Sequence, residues 1–258
     1  MEKKLVFAFY LSNDTYKSFI NELHFKCLSR FSDIFNTVNI TILKDEDTSD
    51  DTLLKCKNRF NEIFLTTPKF TINIIDNSPY REAIVFYDKV ATKLGEDDLV
   101  FFGHNKGITN TMFPKESIIP WILGMYFYNL SFIKEVEELL ITDQYLSYGA
   151  FLTQNETMRA KYRWNYIGTF FWVNSKALRN YLISQKNSVP PLDNRYYAEE
   201  WLGNLYKSWP DKNAASHKLA YLKEAENYYK YTRHYINLLY ADISDFKNFY
   251  KEITNEEY

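Results

Sequence analysis

Cysteine is scarce in this 258-residue chain, and its scarcity excludes two kinds of site. The two cysteines, Cys27 and Cys56, form no Cys-x-x-Cys pair, which excludes a zinc ribbon and a thioredoxin-like redox pair. Both fall on the apolar faces of predicted helices, where cysteine behaves as a small buried hydrophobe. This usage fits a reducing compartment, and the cytoplasm is the expected location.

Glycine-rich phosphate loops are also lacking. The chain has seven glycines, with no Gly-x-Gly-x-x-Gly after the first predicted strand and no Gly-x4-Gly-Lys-Ser/Thr anywhere. These absences disfavour a dinucleotide-binding dehydrogenase and a P-loop NTPase. Any phosphate site would have to be built from other elements.

Long apolar runs and a strong net charge are missing as well. The longest apolar run, residues 118–128, is interrupted by Pro120 and Gly124 and is shorter than the roughly 20 residues that a spanning helix needs. Residues 1–4 do not fit the layout of a signal peptide. A net charge of −2 excludes bulk attraction to nucleic acid. We expect no transmembrane segment and no nucleic-acid partner, while peripheral membrane contact and the oligomeric state stay open.

What the sequence does contain is an alternation of strand and helix patterns in its first hundred residues. Apolar runs predict strands, and residues at helical spacing between them predict helices that begin near 12–15, 48–51 and 79. The predicted strands are residues 4–11, 37–43, 70–75 and 98–102. This order predicts an α/β fold with a mostly parallel sheet, helices on both sides and right-handed crossovers.

Polar residues follow each predicted strand. They occupy residues 10–13, 44–47, 76–81 and 104–107. Ligands of open parallel sheets bind beyond the carboxyl ends of the strands, so these residues form the predicted ligand crevice. The second half is less regular: we predict helices at 125–140, 175–182 and 195–209, strands at 145–153 and 166–173, a loop at 210–216, and a helical tail.

Three short motifs occur in order along the chain. They are His104-Asn105-Lys106-Gly107, Gly168-Thr169-Phe170-Phe171-Trp172 and Arg195-Tyr196-Tyr197-Ala198-Glu199-Glu200-Trp201. With the alternating first half, this set resembles the glycosyltransferases of the GT-A fold, and more narrowly the viral and bacterial surface-polysaccharide transferases. Those proteins carry His-Thr-Lys-Gly, Gly-Asn-Phe-Trp-Trp and Arg-aromatic-x-Ala-Glu-x-Trp at the corresponding places. The resemblance covers residues 4 to 217.

The resemblance implies a Rossmann-like GT-A domain at residues 1–218, with a helical extension at 219–258. Residues 1–110 would bind the nucleotide sugar, with UDP as the expected nucleotide, and residues 111–218 would bind a glycan acceptor and supply the base. The fourth strand of that fold ends in an Asp-x-Asp motif that holds manganese or magnesium. Here it ends in His-Asn-Lys, so the resemblance leaves metal dependence open, with His104 and His217 as candidate ligands.

Donor-binding roles follow from position at the strand ends. Lys106 could supply positive charge to the diphosphate, Gly107 would allow close backbone approach, and His104 could donate a hydrogen bond. Arg81 matches phosphate bidentately near a predicted helix N-terminus. The remaining candidates are Asn105, Asp76 for the base or ribose, and Tyr10 for stacking on the base. Each of these residues also has an ordinary structural interpretation, such as a turn, a helix cap or core packing.

The resemblance assigns the catalytic base to Glu199, which would take the proton of the acceptor hydroxyl during inversion. Arg195 lies one helical turn before Glu199 and could orient it, and Glu200 is the alternative base. Gly168, Trp172 and Trp201 are the candidate acceptor contacts. The competing functions are a non-catalytic nucleotide-sugar or glycan-binding domain of the same fold, and an unrelated flavodoxin-like or Rossmann-like phosphate-binding protein.

Overall fold

A computed structural model of the chain describes residues 1–76, 97–105, 108, 115–141, 147–149, 152–154, 164–166, 168–184, 214–215 and 243–256. The predicted third helix after Pro79, the predicted helix at 195–209 and most of the predicted tail lie outside these residues.

Four parallel strands form one side of a seven-stranded sheet. They are β1 (Glu2–Leu11), β2 (Thr37–Lys44), β3 (Lys69–Asp76) and β4 (Asp98–His104), adjacent in the order β3-β2-β1-β4. This confirms the predicted strands and their parallel pairing. The continuous apolar runs of β1 and β4 form strands because both of their faces are buried.

Short strands make up the described β-structure of the second half, and only some of them extend the large sheet. In chain order these are β5 (Ser147–Tyr148), β6 (Leu152–Gln154), β7 (Trp164–Tyr166), β8 (Phe171–Asn174) and β9 (Ala214–Ala215). Strand β8 pairs antiparallel with β4, and β5 and β9 continue the sheet beyond it. Strands β6 and β7 form a separate two-stranded ribbon.

The two long strands predicted for this half are each divided. The predicted strand at 166–173 is interrupted by Gly168 and Thr169, whose φ angles are +80° and +58°. A positive φ takes the chain out of the extended region, so β7 and β8 join different sheets. The predicted strand at 145–153 is likewise split into β5 and β6.

Serine caps begin the helices of the N-terminal half. Ser12 caps α1 (Asn13–Tyr16), Ser18 caps α2 (Phe19–Arg30) and Ser49 caps α3 (Asp50–Ile63), each with its side chain accepting a backbone N–H of the first turn. The apolar spacing from Tyr16 to Phe31 predicts one helix, but the cap at Ser18 divides it into α1 and α2.

Residues 115–184 contribute three helices to the described part of the fold. α4 (Lys115–Leu130) is buried along all of residues 118–130, which explains why its apolar residues show no single face. α5 (Ile133–Ile141) follows after a break at residues 131–132, so the predicted helix at 125–140 is two helices. α6 (Ser175–Ser184) begins where predicted, with Asn174 Oδ1 accepting from the N–H groups of Lys176 and Ala177.

α7 (Ile243–Thr254) packs against α2 and α4. Its buried side chains are Phe246, Phe249, Tyr250 and Ile253. Burying four such groups contributes roughly 6–12 kcal/mol before the entropy of ordering the helix is subtracted. Lys26 Nζ donates to the carbonyl of Ile253 at 2.9 Å and anchors the end of the helix. None of the described helices is long and apolar enough to cross a bilayer.

Candidate functional site

The carboxyl ends of the four parallel strands lie at one edge of the sheet, which we call the carboxyl edge. Leu11, Lys44, Asp76 and His104 are their last residues. Tyr10, Asp76, His104 and Asn105, all predicted from sequence as donor-site residues, lie at or beside these ends. Because neighbouring strands are about 4.8 Å apart, the ends of β3 and β4 are separated by about 14 Å across the sheet. Asp76 also extends three residues farther along the strands than His104. The edge is therefore wide enough for an extended ligand.

Asn105 holds β1 and β4 together at this edge. Its Oδ1 accepts from the backbone N–H of Tyr10 at 2.8 Å, and its Nδ2 donates to the carbonyl of Tyr10 at 2.8 Å. The side-chain amide thus makes the two hydrogen bonds to Tyr10 that the backbone of one more β4 residue would otherwise make. Asn105 is 2% exposed, and the structure gives its amide a structural role rather than a free surface for a nucleotide.

Asn21 extends this connection to the helices. Its Oδ1 accepts from Asn105 Nδ2 at 2.8 Å, and its Nδ2 donates to the carbonyl of Thr15 at 2.7 Å. Asn21 is fully buried, so the amide pair is shielded from water. Sequence reasoning missed Asn21 because its partner lies 84 residues away in the chain.

Tyr10 and the loop after β2 form the next part of the edge. The phenol of Tyr10 donates to the carboxylate of Asp45. The backbone N–H of Asp45 and the hydroxyl of Thr48 both donate to the carbonyl of Leu11, at 3.0 and 2.9 Å. These bonds fix the position of the phenol, and the Tyr10 side chain is half-buried.

Asp76 and Lys44 occupy the outer end of the edge. Lys44 Nζ lies 3.9 Å from Asp76 Oδ1, and the Asp76 side chain is 85% exposed. An exposed pair at this separation is screened by water and adds little to stability. The carboxylate of Asp76 is therefore open to a ligand, in agreement with its predicted position.

His104 is 5% exposed, and its ring centroid lies 6.4 Å from that of Phe170. Within the described ranges, no group of three or more histidine, cysteine or acidic side chains is placed to hold a metal ion. The described residues thus do not by themselves make the metal site that the resemblance implies. His217, the other candidate ligand, lies outside them.

Gly168 and Thr169 lead into β8 at the same edge. A Cβ on Gly168 would stand 2.4 Å from Met125 Sδ, so both the space and the φ of +80° require glycine. Thr169 is fully buried, and its backbone N–H donates to the carbonyl of Tyr166 at 3.2 Å. Gly168, which the sequence predicts as an acceptor contact, therefore lies in a tight turn that packs against α4.

Trp172 lies in the core rather than in a crevice. It is fully buried, its Nε1 donates to the carbonyl of Asn129 at 2.8 Å, and its ring centroid lies 5.1 Å from that of Phe101. The reason is that β8 is covered by α4 on the face that carries Trp172. The ring therefore has no exposed face in the free chain, and its role as an acceptor contact stays a prediction.

A buried pair lies in the core on the same face of the sheet. His24 Nδ1 and the Tyr126 hydroxyl are 2.8 Å apart, and both residues are fully buried. Burial raises the pKa of Tyr126 well above its ordinary value, so the phenol stays neutral at physiological pH. The ring of Tyr126 packs on Phe170, with centroids 5.0 Å apart, and so supports the start of β8.

The other predicted site residues lie outside the described part of the chain, and their roles stay predictions. They are Arg81, Lys106, Gly107, Arg195, Glu199, Glu200, Trp201 and His217.

No family model matches the chain, and no curated protein matches it. Among solved structures, the chain is similar to the nucleoside-diphosphate-sugar pyrophosphorylase from Vibrio cholerae RC9, with a TM-score of 0.32 and 10% identity over 83% of this chain and 92% of that chain. A TM-score this low does not establish a shared fold. The description of the chain as α/β, with a mostly parallel sheet flanked by helices, therefore rests on its own strand order.

Proposed function

We propose that the chain is a glycosyltransferase of the GT-A type, which transfers a hexose from a nucleoside-diphosphate sugar to a glycan acceptor with inversion. The observation that carries the proposal is the carboxyl edge, where four parallel strands in the order β3-β2-β1-β4 end in polar residues beside the antiparallel strand β8. An open sheet of this kind binds its ligand at that edge. The three ordered sequence motifs support the choice of reaction.

The proposed donor site uses the described residues of the edge in separate roles. The half-buried ring of Tyr10, held by Asp45, stacks on the nucleobase. The exposed carboxylate of Asp76 accepts from the base or ribose. Asn105 keeps the end of β4 against β1, so that the residues after it, Lys106 and Gly107, start from a fixed point.

The proposed chemistry needs two contributions from the chain. Positive charge at Lys106 and Arg81 stabilises the negative charge that develops on the departing diphosphate. Glu199, oriented by Arg195, takes the proton of the acceptor hydroxyl as that oxygen attacks the anomeric carbon. In the glycosyltransferases that the chain resembles, a divalent metal supplies part of the diphosphate neutralisation, but the described residues of this chain form no metal cluster.

A second candidate function is a non-catalytic nucleotide-sugar or glycan-binding domain of the same fold. It is favoured by the His-Asn-Lys that stands where an Asp-x-Asp motif would be expected. It differs from the enzyme in one measurable respect, because it would bind a donor without transferring the sugar.

Calorimetry with a panel of UDP-, GDP- and dTDP-sugars, with and without manganese, tests donor binding first. We expect one nucleotide class to bind, and failure of every nucleotide sugar in both conditions would refute the proposal. Glu199→Gln is then expected to bind the donor as the wild type does and to lose transfer by about 100-fold or more. Glu200→Gln tests the alternative base in the same assay: loss of transfer there, with wild-type transfer by Glu199→Gln, would assign the base to Glu200.

A further inference from the structure

Thr169 has a backbone conformation that its residue type disfavours. In the described part of the chain, Thr169 and Asn255 are the non-glycine residues with positive φ, at +58° and +64°. Asn255 follows the end of α7, where asparagine commonly adopts this conformation. Thr169 is β-branched, and such residues are rare at positive φ because their side chain crowds the backbone. Strain of this kind persists where the surrounding structure holds it, and it concentrates at functional sites.

The hydroxyl of Thr169 is buried without a hydrogen-bond partner among the described residues. Other small buried hydroxyls are paired: Thr48 Oγ1 donates to the carbonyl of Leu11 at 2.9 Å, and Ser175 Oγ accepts from the N–H of Asp98 at 2.8 Å. Among the described residues, the phenol of Tyr128 shares the unpaired state of Thr169. A buried polar group without a partner destabilises the fold. Valine would fill nearly the same space without this penalty, so folding alone does not explain the hydroxyl.

The position of Thr169 connects both observations to the carboxyl edge. Strand β8 pairs with β4 so that Phe171 stands opposite Phe102. Thr169 lies two residues before Phe171 in the chain, on the side of β8 that faces His104, the last residue of β4, and its positive φ takes it out of the ladder. The neighbouring Phe170 ring lies 6.4 Å from the His104 ring. The strained residue therefore lies at the edge where the proposed substrate binds.

We propose that Thr169 determines substrate specificity, with its Oγ1 forming a hydrogen bond to a sugar hydroxyl of the bound substrate. This inference rests on the proposed function and deepens it. The hydroxyl is enclosed in the free chain, so the contact forms as the substrate displaces the side chains that cover it. In the bound state the hydroxyl of Thr169 has the hydrogen-bond partner that it lacks in the free chain. The resulting difference in free energy favours binding of a ligand that carries a hydroxyl group.

Two substitutions separate this role from a structural one. Thr169→Val keeps the β-branched shape and removes the hydroxyl, whereas Thr169→Ser keeps the hydroxyl. We expect Thr169→Val to unfold at the wild-type temperature or above it, because no internal hydrogen bond is lost. We expect it to weaken substrate binding about tenfold, the effect of about 1.4 kcal/mol, while Thr169→Ser stays within about threefold of the wild type. The matched control Thr48→Val removes a paired hydroxyl and should lower the unfolding temperature.

Two binding measurements identify which sugar is contacted. Calorimetry compares the tightest-binding nucleotide sugar of the panel with its free nucleoside diphosphate, and steady-state kinetics gives the KM of the glycan acceptor. A tenfold loss for the nucleotide sugar but not for the diphosphate supports a donor-sugar contact, and a raised acceptor KM alone supports an acceptor contact.

Three results would overturn the inference while leaving the proposed function standing. These are wild-type binding by Thr169→Val in both measurements, an equal loss for the free diphosphate, and a lower unfolding temperature for Thr169→Val that matches Thr48→Val. If the wild type binds no nucleotide sugar, the proposed function itself fails, and the inference fails with it.

Discussion

Replacing Asn105 by alanine tests whether one amide holds the carboxyl edge together. The substitution removes the two bonds to the backbone of Tyr10 and the bond to Asn21. It leaves the N–H and C=O of Tyr10 and the Oδ1 of Asn21 without these partners in a site where Asn105 itself is 2% exposed. Water cannot readily replace them, so the full penalty of unpaired buried groups applies.

The magnitude follows from these contacts. Each lost hydrogen bond that leaves a buried partner unsatisfied lowers the free energy of unfolding by about 1–3 kcal/mol. Because the groups are adjacent and relax together, the total is below a simple sum, and we expect about 3–5 kcal/mol. For a chain of this length, that corresponds to an unfolding temperature lower by about 6–20 °C.

Urea unfolding followed by far-ultraviolet circular dichroism measures this loss directly. Asn73→Ala is the matched control, because Asn73 is exposed on the edge strand β3 and its replacement should change stability by less than about 0.5 kcal/mol. A loss below about 1 kcal/mol for Asn105→Ala would contradict the role of this amide in holding β1 to β4. It would instead mean that the amide is available to a ligand, as the sequence prediction had it.

Three further predictions concern the turn, the thiols and the docked helix. Gly168→Ala should lower the free energy of unfolding by about 2 kcal/mol, because φ is +80° and the new Cβ meets Met125; a neutral result by urea unfolding would contradict the turn geometry. Burial raises the pKa of the Cys27 and Cys56 thiols above their ordinary value. The thiols of the unfolded chain therefore lose their protons at lower pH than those of the folded chain. The free energy of unfolding should fall as pH rises above about 9, by about 3 kcal/mol at pH 10. A Cys27→Ala/Cys56→Ala chain should lack most of this loss, and an unchanged dependence of its stability on pH would contradict the prediction. Phe246→Ala should lower the free energy of unfolding by about 3–5 kcal/mol, since Phe246 is fully buried against Phe127 and Tyr128; a loss under about 1 kcal/mol would mean that α7 is not docked in solution.

The parallel half of the fold could be predicted from sequence because its signals are local. The run that forms β1 is apolar from Leu5 to Leu11. Ser49 and the spacing of Cys56 and Phe60 specify α3 within a few residues. The break between α1 and α2 was missed because the apolar spacing continues through it, and the serine cap at Ser18 carried the information instead.

The site was predicted less well, for a physical reason. The ends of the strands identify where a ligand binds, but they do not show which polar side chains there are already hydrogen-bonded within the fold. The amide of Asn105 looks like a ligand group in sequence, and only the pairing of β1 with β4 shows that Tyr10 occupies it. Trp172 looks like a sugar platform in sequence, and only its position between Phe35 and Phe101 shows that it is core.

The docking of α7 also bears on when the chain can fold during its synthesis. Lys26 on α2 bonds to the carbonyl of Ile253, a contact that spans 227 residues. Contacts this distant in sequence form late and slow the folding of a domain. The surface of α2 and α4 that receives Phe246 and Phe249 stays uncovered until the ribosome has released α7, so the nascent chain exposes an aromatic face for most of translation. A chaperone that holds this face would be expected to leave only when residues 243–254 take its place.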